Sequence, residues 1–371
     1  MKVGILTFHR ATNYGAILQA YALAFYLKSI GHTVSFVDYK PASMALLYAP
    51  LDLPGVWRKL RRVVLNILLL PSLMKRWKKR KMFWEYVESN FLLTSKVHVS
   101  SDLPRFDAYV VGSDQVWSVC FTGGVDPFYW GQFDRQGAKL ISYAGSAAEN
   151  MDESFTTNDN ARLLNVFDEI SVREDELLKH LQKSLPNKRV EKVLDPTLMA
   201  GCACFEDLIK NEDPIETAYV LVYQVIRTKN DLIQQYAKQI AEQNSCDIWE
   251  IKDSRLFVNS DGKISISKNM IDPTQFVTLF KYAKFIITTS FHGTAFSLLF
   301  EKPFNVVSIS PEVDSRAKDI LHHLDLDDRL IELPCKDKQT GIDWTRVNSV
   351  LCELRYPSRD FLKRSLDGDV E

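Results

Sequence analysis

At 371 residues, 46% hydrophobic and 25% charged, the chain has the balance of a soluble globular protein and is long enough for two cores rather than one. Its formal net charge of −1 lacks the basic excess of a dedicated nucleic-acid binder. The six cysteines are scattered, and Cys202-Ala203-Cys204 has no second cluster to complete a zinc site. They read as incidental thiols in a reducing compartment, and no metal is expected.

The N-terminus MKVGILTFHRATNYG has too short an apolar run for a signal peptide. The longest apolar run, Val63 to Met74, is broken by Asn66 and Pro71 and falls short of the ~20 residues of a membrane span. A cytoplasmic location is expected. Val3 to Phe8 predicts a strand, His9 to Asn13 a loop, Gly15 to Ser29 a helix stopped by Gly31, and Thr33 to Asp38 the next strand. Further strands are predicted at Asp107 to Val111, Lys139 to Tyr143 and Glu169 to Val172, with Val193 and Leu194 leading into DPT. A second alternation starts at Ala218: AYVLVY as strand, Lys229 to Gln243 as helix, DIWEIK as strand. An Asp272 cap with Pro273 follows, then KFIITT, GTAFSLLF and FNVVSI as strand, helix and strand. Such units build parallel sheets with ligands at the strand ends. The expected fold is α/β, two Rossmann-like domains facing a central cleft: residues 1–200, residues 201–345, and a helical tail over 346–371.

Residues 56–91 depart from this rhythm. They are helical in pattern and basic, with Trp57, Trp77, Phe83 and Trp84 among ten lysines and arginines. Two readings stand: a solvated helical insertion, or an interfacial helix pair touching an anionic membrane surface.

Four strand-end seams concentrate polar groups. The loop after the first strand lacks G-x-G-x-x-G, but it points Asn13, Tyr14 and the first helical N–H groups toward the cleft, unless Tyr14 is simply packed beneath a helix cap. In VVGSDQVW, Gly112 admits close backbone approach, Ser113, Asp114 and Gln115 crowd polar groups past a buried strand, and Trp117 could stack on a sugar ring or belong to the core. Arg173 in ISVREDE follows an apolar strand, where its fork suits a carboxylate or phosphate as well as a structural partner. In TTSFHGTAF, Ser290 and His292 end a strand while Gly293 and Thr294 open a helix whose N–H groups suit a phosphate. A phosphate there raises the pKa of His292 and the helix end lowers it. A lone histidine at such a place is otherwise structural.

In order along the chain, NYGAILQAYAL, DAYVVGSDQVW, ISYAGS, ISVREDE, VLDPTL, TSFHGTAFSLLFEKPF and DSRAKDILHHLDLDDR resemble the polysaccharide pyruvyl transferase family, from Lys2 to about Arg329. The resemblance implies a GT-B-like fold and transfer of pyruvate from phosphoenolpyruvate onto two hydroxyls of a glycan sugar, as a cyclic ketal with release of phosphate. It implies phosphoenolpyruvate in the C-terminal domain as donor substrate, no separate cofactor, and an acceptor glycan, lipid-linked in many such pathways, on the N-terminal domain. His292 is then expected as acid or phosphate-side donor. Arg173, helped by Arg316, would grip the donor's anionic groups, and Asp114 would orient or deprotonate the acceptor. Asn13 and Gln115 would bond to the sugar, with Tyr14, Gly15, Ser113, Trp117, Ser146, Ser290, Gly293 and Thr294 as further substrate-binding residues. Peripheral membrane contact through 56–91 would bring such an enzyme to a lipid-linked acceptor. The rivals are a sugar-nucleotide glycosyltransferase on a similar fold and a non-catalytic glycan-binding relative.

Overall fold

The computed structural model describes residues 1–39, 41, 74–147, 160–252, 255–260, 263–335 and 341–368. β1 (Lys2–Leu6), β2 (Thr33–Tyr39), β3 (Leu93–Val97), β4 (Ala108–Asp114), β5 (Lys139–Gly145), β6 (Glu169–Val172) and β7 (Val190–Lys192) form a sheet in the order β3-β2-β1-β4-β5-β6-β7. Every pairing in it is parallel. The central strands are covered on both faces, which is why KVGIL and AYVVG read as apolar runs rather than alternating ones. The order reverses between β1 and β4, so the loops after those strands diverge and leave a crevice at the carboxyl edge.

The second sheet runs β11-β10-β9-β8-β12-β13-β14. β8 (Tyr219–Tyr223), β9 (Asp247–Lys252), β12 (Phe285–Thr288), β13 (Phe304–Val307) and β14 (Leu330–Ile331) are mutually parallel. β10 (Arg255–Ser260) and β11 (Lys263–Met270) add an antiparallel hairpin at one edge. Its reversal point lies between β8 and β12. The chain is thus α/β with two Rossmann-like halves in a GT-B-like arrangement, as its alternation predicts. The hairpin, β3, β7 and β14 have no counterpart in that prediction. β7 ends just before Val193 and Leu194, which lead into the Asp195 cap as expected.

On one side the halves share an apolar core. The helix Tyr14–Ser29 is capped by Asn13, whose side chain accepts from the Gly15 N–H at 2.8 Å. It is apolar all round and twelve of its sixteen residues are buried, as suits a helix enclosed by neighbours. Tyr14 stacks on Phe276 of the helix Pro273–Tyr282, ring centroids 4.2 Å apart, and Phe205 meets Phe296 edge-on at 4.9 Å. The C-terminal helix Trp344–Asp367 returns to the first half: Arg359 donates to the Met199 carbonyl at 2.9 Å, and Lys139 donates to that of Leu366 at 2.7 Å. Of the basic insertion, residues 56–73 lie outside the described residues, and a helix runs over 74–90. No helix among the described residues is long and apolar enough to cross a membrane.

Candidate functional site

β6 ends at Val172, so Arg173 leaves the sheet at its carboxyl edge, before the helix Asp175–Ser184. β7 leads into Asp195, which caps the helix Pro196–Ala200 by accepting from the Thr197 N–H at 2.9 Å. β4 delivers Asp114 in the left-handed region, φ 84°. From the other half, β12 hands over to the helix Phe291–Leu299, with Ser290 at its N-cap and His292 in its first turn. Gly293 makes that handover possible: a Cβ on it would stand 2.1 Å from Thr288 Oγ1.

These ends converge. Arg173, 3% exposed, donates from Nη1 to Asp195 at 2.8 Å and from Nε to Glu174 at 3.0 Å, while Nη2 stands 3.8 Å from Asp114. Asp195, 1% exposed, also faces His292 Nε2 at 3.9 Å. Ser146 donates to Glu174 at 2.7 Å, extending the network one residue further. Arg173 Nη2, Glu174 Oε2 and His292 Nε2 are buried with no hydrogen-bond partner among the described residues. Buried polar atoms are nearly always paired, so three such atoms in one network single it out as a candidate binding place.

The electrostatics fix the protonation states. Burial works against the charge of Arg173, but Glu174, Asp195 and Asp114 more than restore it, and its pKa rises. Burial pushes the Asp195 carboxyl up; His292, Arg173 and the Thr197 N–H outweigh that and hold it below the usual range. Of these partners Arg173 is the charge that persists at neutral pH. Burial lowers the His292 pKa below its ordinary 6.5, and the Asp195 carboxylate does not offset this, because Arg173 and Arg316 add to the lowering. The imidazole is therefore neutral at pH 7.

A stability prediction follows from that sign. Below about pH 6.5 the unfolded chain takes up a proton that the folded His292 resists, so stability is full above that pH and declines as pH falls through the window down to the folded value. His32, lowered in the same way, adds to the slope, so the difference between wild type and His292→Gln isolates the site. Urea midpoints measured from about pH 7.5 to 5 should fall less steeply in the variant. Equal slopes would mean that the imidazole is not held neutral.

A cavity of about 1010 Å³ opens between the halves. Arg173, Glu174, Lys192 and Asp195 line it from the first; Lys229, Phe291, Ser308 to Pro311, Asp314, Arg316 and Asp319 line it from the second. His292 itself does not line it; the imidazole sits behind Asp195 and beside Phe291, 12% exposed. Arg316 lies over the Phe291 ring at 5.6 Å, and Lys229 donates to the Ser308 carbonyl at 2.7 Å. Across the cavity's walls Lys192 joins Asp175 at 2.8 Å to Asp319 at 2.9 Å, one carboxylate from each half.

Of the residues singled out in the sequence, His292, Arg173, Asp114 and Ser146 belong to this network, and Arg316 to the cavity beside it. Gly15 joins them from the N-terminal helix, where a Cβ would stand 2.3 Å from His292 Nδ1. Ser290 is the N-cap of the His292 helix, and its side chain makes no capping bond. Others are corrected. Tyr14 is buried in the shared core, its hydroxyl donating to the Ile271 carbonyl at 2.7 Å. Trp117 is fully buried and donates to Tyr129, so no sugar can stack on it. Ser113 donates to the Ala144 carbonyl and Thr294 to that of Ser290, both wholly buried. Two are not displaced: Asn13 is exposed and commits its side-chain oxygen to the cap, and Gln115 is half-buried with its backbone N–H turned to Asp114. Gly293 serves helix–strand packing. The helix begins at Phe291, two residues before the expected Gly293, which places His292 within the first turn rather than on the strand.

Asp195, Glu174, Lys192 and Lys229 carry no individual role in the sequence reading. The signal for Asp195 was present in DPT, where an aspartate ahead of a proline is a helix cap, but nothing local tells that its second oxygen meets Arg173.

Among curated proteins no relative matches. Solved structures of similar arrangement include UDP-GlcNAc 2-epimerase from Methanocaldococcus jannaschii in complex with UDP-GlcNAc and UDP, 11% identical over 97% of this chain and 94% of that one, TM-score 0.47. Arabidopsis thaliana UGT89C1 is 12% identical over 99% and 93%, TM-score 0.44, and the Streptomyces sp. SF2575 glycosyltransferase SsfS6 is 10% identical over 99% and 95%, TM-score 0.38. At these identities and scores none of them informs the reaction. The family model for polysaccharide pyruvyl transferase matches residues 13–311, from the Asn13 cap to the helix that opens at Pro311, and takes in the whole Asp114–Arg173–Asp195–His292 network. The chain belongs to the polysaccharide pyruvyl transferase family.

Proposed function

We propose that the chain moves pyruvate from phosphoenolpyruvate onto two hydroxyls of a glycan sugar, closing a cyclic ketal and releasing phosphate. The observation that carries this is the convergence of two guanidinium groups, Arg173 and Arg316, at an interdomain cavity, with the His292 imidazole 3.9 Å from the Asp195 carboxylate of its lining. The cavity is several times larger than a three-carbon phosphate ester needs, which leaves room for a sugar beside it.

The reaction sets definite demands. Protonation of the methylene carbon makes the neighbouring carbon electrophilic, and one hydroxyl adds there. The second hydroxyl then displaces phosphate at the same carbon. Of the two hydroxyl protons, one ends on the new methyl group and the other on phosphate. Anionic ends must be held, the hydroxyls oriented, and one group must carry a proton near its working pH.

The network supports a division of labour different in weight from the one read in the sequence. Arg173 is surrounded by three carboxylates and has only Nη2 left to offer, so it suits one hydrogen bond to the donor rather than a full bidentate grip. Arg316, on the opposite wall, is better placed to carry the donor's charge, with Lys229 nearby in the lining. Asp114 and Glu174 suit the hydroxyls. His292, neutral before binding, suits the phosphate side as a donor; a phosphate alongside raises its proton affinity and lets it deliver a proton as well.

Arg316→Ala should raise the KM for phosphoenolpyruvate about tenfold or more, the worth of a hydrogen bond to a charged group, with little loss of stability. An unchanged KM would take Arg316 out of the donor site. The function itself is tested with phosphoenolpyruvate and a panel of lipid-linked or synthetic glycosides, without any nucleotide sugar. Phosphate release matched by a ketal product in the mass spectrum is the expected result. Product formed only from a nucleotide sugar would assign the cavity to glycosyl transfer, and ligand binding without product would leave a glycan-binding relative.

A further inference from the structure

The helix over 74–90 has two unlike faces. Phe83, Tyr86 and Val87 are buried, with the Phe83 ring 5.0 Å from that of Tyr14 and the Tyr86 hydroxyl accepting from Thr274 at 3.3 Å. This side fastens the helix to both halves. The opposite side, at positions 74, 77, 78 and 81, repeats at helical spacing and is exposed, with Met74 at 51% and Trp77 at 54%. Residues 75–81, KRWKKRK, hold six cations and no acid. Lys81 lies over the Trp77 ring at 5.5 Å and Arg80 over Trp84 at 5.0 Å, so aliphatic stems follow the rings. Toward the C-terminal end the same face turns acidic, and those acids have partners: Glu85 with Lys81 at 3.5 Å, Glu88 with Arg10 at 3.1 Å. The Lys81–Glu85 pair is exposed on both sides and holds Lys81 only weakly.

In a chain whose net charge is −1, this is a local concentration of positive charge around two exposed apolar side chains. We propose that residues 74–81 of this helix dock on an anionic phospholipid surface. Trp77 and Met74 sit at the headgroup boundary, with Lys78 and Lys81 on the lipid phosphates. The acids at 85 and 88 keep the C-terminal end of the helix off the anionic surface, so residues 74–81 meet it. A nucleic acid fits less well: the helix is convex and offers no groove to follow a backbone, and the exposed Met74 gains nothing from phosphate.

The test uses the full chain and needs neither substrate nor turnover, so it can fail independently of the proposed function. Flotation is measured with phosphatidylcholine vesicles, with and without phosphatidylglycerol, at ~0.01 M salt, where the Debye length is ~30 Å, and at ~1 M, where it is ~3 Å. The protein should float only with the anionic vesicles and only at low salt. The Lys78→Glu/Lys81→Glu double variant should lose at least ~10-fold in partitioning, and Trp77→Ala should lose binding without changing its salt dependence. All three side chains are exposed, so circular dichroism should match the wild type. Absence of flotation at low salt, equal flotation on neutral vesicles, or capture by a DNA oligonucleotide but not by vesicles would each overturn the proposal.

Discussion

Asp195→Ala is expected to be the most damaging single change in the site, costing about 3–5 kcal/mol of stability along with most of the turnover. The carboxylate is 1% exposed, and its partner Arg173 is 3% exposed and cannot shed its charge. Removing the acid takes away the 2.8 Å bond to Nη1, the capping bond to Thr197 and the charge that faces His292. Among the described residues the buried guanidinium then keeps Glu174 as its one hydrogen-bonded partner. Urea unfolding measures the loss directly, and a variant within ~0.5 kcal/mol of wild type would show that the bridge holds nothing.

Asp195→Ala combined with Arg173→Met separates the structural from the chemical part. With neither member of the buried pair left, the double variant should recover part of the stability, Glu174 keeping the bond from Ser146, because much of the penalty lies in the unpaired ion rather than in the lost pair. Turnover should not recover, since Arg173 Nη2 and the ordered imidazole are both gone. Recovery of both would mean that the network is scaffolding.

How far the sequence discloses this site depends on which links are local. Continuous apolar runs such as KVGIL and AYVLVY mark strands covered on both faces, so the two parallel sheets are legible from composition along short windows. The caps at Asn13 and Asp272 are legible for the same reason, since the capping atoms reach N–H groups two or three residues on. The edge hairpin of β10 and β11 is less so, because edge strands need not show a full apolar face. What no window can show is direction. Tyr14 and Trp117 stand at strand-end seams like Arg173 does, yet their rings turn into core while the guanidinium turns into the cavity. That choice is made by partners outside the local window, for Tyr14 the carbonyl of Ile271, 257 positions on, and the ring of Phe276, and for Trp117 the carbonyl of Tyr129, 12 positions on. Asp195 is the reverse case: a residue explained fully by a local cap, whose second oxygen acquires its meaning only when β6 and β7 lie side by side.

Gly15→Ala gives the sharpest test of the interdomain geometry, because local physics favours it. Gly15 lies in the first turn of a helix, where alanine is the better helix former by roughly 0.8–1.0 kcal/mol. Its methyl group, however, would stand 2.3 Å from His292 Nδ1 and 2.6 Å from Cε1. A real Cβ does not approach so closely, so the imidazole must shift by about 1 Å, a displacement that costs on the order of 10²-fold in rate when the moved group takes part in the chemistry. His292→Ala, expected to cost at least ~10²-fold, sets the scale. The prediction is a fall of about 10² in kcat for Gly15→Ala while the urea midpoint moves by no more than ~1 kcal/mol equivalent. The double variant should be no slower than His292→Ala alone, because the methyl acts only through the ring it displaces. If Gly15→Ala retains turnover within about twofold while the helix gains stability, the contact between the two halves is ordinary packing and His292 has no part in the reaction.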